Sequence, residues 1–153
     1  MKQHLFFDLD DTLVHCNKYF QDVLNEFAER IMLRFPHLAL TRKAVLAKQA
    51  EIDIAGIRVL GFKLDHFPQS LVDTYRHFCD LAGERPSSEE EREIRRLGMS
   101  VFEREIEPFP HMEETLETLS AQGHVLHLYT GGDSRFQRKK IRKLNLDRHF
   151  GNR

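Results

Sequence analysis

Two carboxylates, Asp8 and Asp10, stand two residues apart just after an apolar run that begins at Leu5, in the string Phe7-Asp8-Leu9-Asp10-Asp11-Thr12-Leu13. Alternate residues of an extended chain share a side, so both carboxylates would point the same way. Ligands of open α/β sheets gather beyond the carboxyl ends of the strands, and this Asp-rich string lies where a strand should run out. Such a place suits phosphoryl chemistry. A second candidate is Thr130-Gly131-Gly132-Asp133, which closes the apolar run from His124 to Tyr129. Its residue types fit a tight strand-to-helix turn with a capping residue.

The elements needed to position these residues follow from periodicity. The run from Leu5 reads as a fully buried strand of a parallel sheet. Phe20, Val23, Leu24, Phe27 and Ile31 recur at helical spacing and predict an amphipathic helix from Tyr19 to about Leu33. Thr41 reads as the N-cap of a second helix through Ala44, Leu46 and Ala50. The stretch from Ile57 to Phe67, with Gly56 before it and Gly61 within, reads as irregular. A third helix through Leu71, Val72, Tyr75, Phe78 and Leu81 closes at Gly83. Ser87 with Glu90, or Ser88 with Glu91, offers a capping box for a fourth, carrying Ile94, Leu97 and Val101. Pro108 and Pro110 mark a boundary before a helix from His111 to Gln122, and a strand from His124 to Thr130 leads into a last helix with Phe136, Ile141 and Leu144. The simplest architecture is a parallel α/β core interrupted by a helical insertion.

Composition bounds the partners. With 153 residues and 41% hydrophobic content the chain can bury one compact domain, or a small core with an inserted subdomain. Its 23 basic and 24 acidic residues leave a net charge of -1 and no global field to draw nucleic acid or an anionic membrane, so neither is expected as a partner. Cys16 and Cys79, in a chain without a signal pattern or a long apolar run, fit a reduced cytoplasmic protein.

The strand ending in Asp8-Leu9-Asp10-Asp11-Thr12 resembles the first motif of the haloacid dehalogenase superfamily, and the strand ending in Thr130-Gly131-Gly132 resembles its second. The resemblance covers nearly the whole chain. It implies an α/β fold with a Rossmann-like parallel sheet, here incomplete: residues 1–14 and 108–153 would form the core, and residues 15–107 a helical cap inserted after the first strand. By the same resemblance Asp8 would be the nucleophile that takes the phosphoryl group and Asp10 the acid and base. Mg2+ would be held by the Asp8 carboxylate, the Asp10 main-chain carbonyl and the substrate phosphate. The Thr130 hydroxyl and the Gly131 amide would hold phosphoryl oxygens, helped by unpaired amides at the start of the next helix.

The activity implied is that of a Mg2+-dependent phosphatase acting on a small phosphorylated metabolite, with a cap that closes over the site. A sugar phosphomutase, a haloacid dehalogenase and a non-catalytic phosphate-binding or assembly module are the alternatives. Asp10 argues against a dehalogenase, which has no leaving alkoxide to protonate. The family's third-motif lysine or arginine and fourth-motif acids have no counterpart here, since Lys139 and Lys140 come too soon after the second motif. The chain therefore reads as the amino-terminal part of a larger enzyme. Two strands with unpaired edges would favour self-association through those edges.

Other residues have plainer readings. Asp11 reads as a cap or turn residue and Thr12 as loop support, while His15 and Cys16 fall at a hinge or flap. Glu89 to Arg96 reads as the solvated face of a helix, acidic residues first and basic ones later. Arg135, Arg138, Lys139, Lys140, Arg142 and Lys143 form a basic run along a helix that also has an apolar face.

Overall fold

The computed structural model describes residues 1–61 and 63–150. Phe62, inside the stretch expected to be irregular, and residues 151–153, the end of the expected core, lie outside the described residues. Along the chain come β1 (His4–Phe7), α1 (Asn17–Arg34), α2 (Arg42–Leu60), α3 (His66–Ala82), α4 (Ser88–Met99), α5 (Met112–Ala121), β2 (Val125–Leu128), α6 (Ser134–Lys143) and α7 (Asp147–Phe150). Single 3-10 turns occupy Pro36–Leu38 and Ser100–Glu103. The chain divides into two compact units, Met1–Lys18 with Glu105–Arg153, and Tyr19–Arg104.

The first unit is built on β1 and β2, which pair in parallel with Leu5 beside Leu126 and Phe7 beside Leu128. These four side chains join a cluster with Leu9, Leu13, Val14, Met112, Leu116 and Leu146. The residues between them face the other way. There the His4 and Phe6 rings both stack on His127, and Phe6 is 71% exposed. The expectation of a fully buried strand is thus corrected to a half-buried one. An unbroken apolar sequence cannot distinguish a strand covered on both faces from one covered on a single face.

The second unit packs α1 to α4 around Val23, Phe27, Ile31, Phe35, Leu71, Val72, Tyr75 and Leu97. Thr41 caps α2 as expected, its side chain accepting the Ala44 amide at 3.2 Å. The helix then runs on to Leu60, so the stretch read as irregular from Ile57 is helical for its first turn. Gly56 was a packing residue and not a break: a Cβ there would lie 2.2 Å from His66 Cε1. The stop comes at Gly61, whose φ of 71° suits glycine.

Ser87 caps α4 by accepting the Glu90 amide at 3.5 Å, but the reciprocal arm of the capping box is missing. Glu90 instead accepts from Arg34 Nε at 2.7 Å and from Tyr75 Oη at 2.5 Å, and the Ser87 amide donates to Tyr75 Oη at 3.0 Å. The buried tyrosine takes over half of the capping box, and Glu90, held by Arg34 of α1 and Tyr75 of α3, ties three helices together.

Candidate active site

All the residues singled out for chemistry lie in the first unit. Beyond Phe7 the chain folds into a tight loop in which the Leu9 carbonyl accepts the amides of Leu13 and Val14 at 2.9 and 3.1 Å, and the Asp11 amide donates to the Val14 carbonyl at 2.7 Å. Leu9 and Val14 are fully buried and Leu13 nearly so, which anchors the loop in the core. Asp8 on one side of Leu9 is exposed and Asp10 on the other is half-buried, the alternation expected when both carboxylates face away from the core. Asp11 does structural work, as expected. At φ 54°, a left-handed conformation that aspartate visits more readily than most residues, its carboxylate accepts the Cys16 amide at 2.9 Å and the Asn17 amide at 3.0 Å.

Thr130 and Gly131 follow β2. The Tyr129 amide donates to the Phe7 carbonyl at 2.8 Å, so the parallel register persists to the point where the two motifs begin. Asp133 caps α6 through the Arg135 and Phe136 amides at 3.0 and 3.2 Å. The cap takes two of the four amides at the start of that helix, which were expected to be unpaired.

Gln137 and Lys140, neither assigned a role from the sequence, join the motifs. Gln137 Nε2 lies 2.9 Å from Asp10 Oδ2, 2.8 Å from Thr130 Oγ1 and 2.8 Å from the Gly131 carbonyl oxygen. Lys140 Nζ lies 2.5 Å from Asp10 Oδ1, 3.9 Å from Cys16 Sγ and 4.3 Å from the centre of the Phe136 ring. Both side chains are buried. The basic run along α6 is therefore not uniformly a surface feature, since one lysine turns inward. A signal for this was present: Lys140 is four residues from both Phe136 and Leu144, and Gln137 four from Ile141, so both share the helix's apolar side.

Burial pushes the Cys16 thiol up to about 11, against the opposing pull of Lys140. His15 rests its ring on Phe109, with centroids 3.9 Å apart, and its amide donates to the Glu107 carbonyl at 2.9 Å.

Among the described residues no group of three or more His, Cys, Asp or Glu converges as a metal centre. The Asp10 carboxylate is engaged by α6 and that of Asp11 by amides. This leaves the exposed Asp8 carboxylate and the Asp10 main-chain carbonyl as the donors of the expected set. An all-oxygen set this small fits Mg2+, which binds through one or two carboxylates and completes its shell with water and substrate phosphate. No helix among the described residues is long and apolar enough to cross a membrane.

Comparison with known proteins agrees with the motifs. Residues 2–153 match the model of the haloacid dehalogenase-like hydrolases, and the chain belongs to that family. A haloacid dehalogenase-like family hydrolase from Xanthomonas campestris is similar over 97% of this chain and 59% of its own, with 21% identity and a TM-score of 0.78. A predicted phosphoglycolate phosphatase from Haemophilus somnus is 22% identical over 99% of this chain and 60% of its own, with a TM-score of 0.46. An L-2-haloacid dehalogenase from Xanthobacter autotrophicus is 14% identical over 99% and 55%, with a TM-score of 0.44. The chain thus spans about three fifths of the length of these structures. No curated protein matches it. The expected fold class holds: a parallel α/β core of the family's Rossmann-like type, incomplete with two strands among the described residues, and a helical insertion.

Proposed function

We propose that this hydrolase-family chain carries the nucleophile half of a phosphomonoester hydrolase site. The supporting observation is the convergence of the Asp10 carboxylate, the Thr130 hydroxyl and the Gly131 carbonyl on one Gln137 amide, next to an Asp8 that remains exposed. In this reading an Asp8 carboxylate oxygen attacks phosphorus, the phosphorus–oxygen bond to the ester breaks, and Asp10 gives its proton to the departing alkoxide. Asp10 then takes a proton from water, the water oxygen attacks phosphorus, and the bond to Asp8 breaks with release of phosphate. Thr130 Oγ1 would orient a phosphoryl oxygen. Mg2+, held by the Asp8 carboxylate and the Asp10 main-chain carbonyl, would supply positive charge opposite the phosphate.

A small phosphorylated metabolite is the substrate class in this reading. Asp10 favours it over a haloacid, whose halide leaves without needing a proton. The test is hydrolysis of an aryl phosphate by the full chain with and without Mg2+, beside Asp8→Asn, which keeps the shape and removes the nucleophile. Mg2+-dependent turnover abolished in the variant is expected. Turnover that survives Asp8→Asn would overturn the assignment, as would metal-independent turnover.

A further inference from the structure

Asp10 has to present one carboxyl oxygen to a leaving group and later to a water, and both transfers depend on where that oxygen is held. Its loop does not hold it. The loop's hydrogen bonds fix the backbone of Leu9 to Val14, and the grip on the carboxylate comes from α6, more than a hundred residues away in sequence.

We propose that Lys140 and Gln137 are positioning residues for Asp10, a two-point clamp in which Lys140 fixes Oδ1 and Gln137 fixes Oδ2 while tying that oxygen to the second motif. The inference rests on the hydrolase reading above and deepens it. A carboxylate has about four lone-pair sites, so one donor on each oxygen leaves sites open for proton transfer. The Asp10 side chain is still 29% exposed and accessible to substrate and water, whereas that of Lys140 is only 4% exposed.

The chemistry of the neighbours makes the clamp specific. Lys140 touches two acidic groups, the Asp10 carboxylate and the Cys16 thiol. Of the two, the Asp10 oxygen is the nearer, 2.5 Å from the ammonium against 3.9 Å for the thiol sulfur. The Phe136 ring adds a second, weaker attraction on the ammonium. Gln137 can present only its NH2 to the site. Flipping the amide would set Oε1 against two further acceptors, Asp10 Oδ2 and the Gly131 carbonyl. As built, Oε1 is buried without a protein partner among the described residues. Accepting an orphaned oxygen indicates how strongly the site is organised around the amide's donor end.

The clamp can be read without activity. In the full chain, nitrogen-15 NMR of lysine side chains should give one ammonium signal protected from exchange with water. It should vanish in Lys140→Met and exchange about tenfold faster in Asp10→Asn, which keeps the shape but only a neutral acceptor. The functional half is read on aryl phosphate hydrolysis. Lys140→Met should lower kcat by about 10- to 100-fold with little change in KM, Lys140→Arg should recover part of it, and Lys143→Met on the exposed side of α6 should behave as wild type. An unprotected Lys140 signal, or one indifferent to Asp10→Asn, overturns the clamp. A protected signal together with undiminished kcat in Lys140→Met overturns the positioning role. If the wild-type chain, carrying half of the site, does not hydrolyse the ester, the ammonium signal alone decides whether Lys140 and Asp10 are clamped.

Discussion

The Asp10–Lys140 pair should respond asymmetrically to loss of its two members. Lys140 is the buried one and Asp10 reaches water, with side-chain exposures of 4% and 29%. Replacing Asp10 with Ala strands an ammonium left with the Cys16 thiol and the Phe136 ring among the described residues, and an uncompensated buried charge of this kind costs about 3 kcal/mol or more. Lys140→Met removes the charge itself and lays a thioether on Phe136, while Asp10 keeps the Gln137 donor and access to solvent. That change should cost about 1 kcal/mol. The difference of about 2 kcal/mol is a ratio of about 30 in the opening equilibrium. The Asp10→Ala, Lys140→Met double variant should be no less stable than Lys140→Met alone.

Because the chain has two units, a whole-chain melt would mix their transitions. Hydrogen exchange at the Val125 and Tyr129 amides, which bond to the Gln3 and Phe7 carbonyls, reports on the first unit alone. Equal costs for the two single variants, or a larger one for Lys140→Met, would refute the reasoning.

Three further outcomes follow from the geometry. Gly98→Ala should lower stability by about 1–2 kcal/mol in urea unfolding followed by helix circular dichroism, because a Cβ there would lie 2.7 Å from the Pro68 Cα, and overpacking against backbone outweighs the gain of about 1 kcal/mol in helix propensity; a more stable variant would contradict the close crossing of α3 and α4. With its thiol pushed from 9.0 to about 11, Cys16 should react with iodoacetamide near neutral pH about 100-fold more slowly than an unperturbed thiol, the ratio of thiolate populations, and mass spectrometry of the timed reaction checks it. The Arg76 guanidinium, bonded to Glu91 at 2.7 and 2.9 Å, holds that carboxyl below its usual 4.5, so the pair's contribution is complete above that value and lost as pH falls through the folded value. Both side chains are partly exposed, so Glu91→Gln should reduce the stability difference between neutral and strongly acidic solution by less than about 1 kcal/mol.

The sequence by itself determined the order of elements and the location of the chemistry. Caps at Thr41 and Ser87, the stop at Gly83 and the helical spacing of Val23, Phe27 and Ile31 are local signals, set by hydrogen bonds and burial within a few residues, so they could be read without a partner in view. The two motifs were legible for the same reason, each being a strand end with its turn. Only the tertiary structure decided what lies across from them. That Phe6 faces outward depends on which face of β1 is covered by other elements, and that Gly56 continues a helix depends on where His66 packs. Lys140 makes the point at the site itself: sequence distance set it too close to the second motif to be the third-motif lysine, yet α6 brings its ammonium to 2.5 Å from Asp10 Oδ1. Charge pairing depends on distance in space, and for residues 130 positions apart only the fold supplies it.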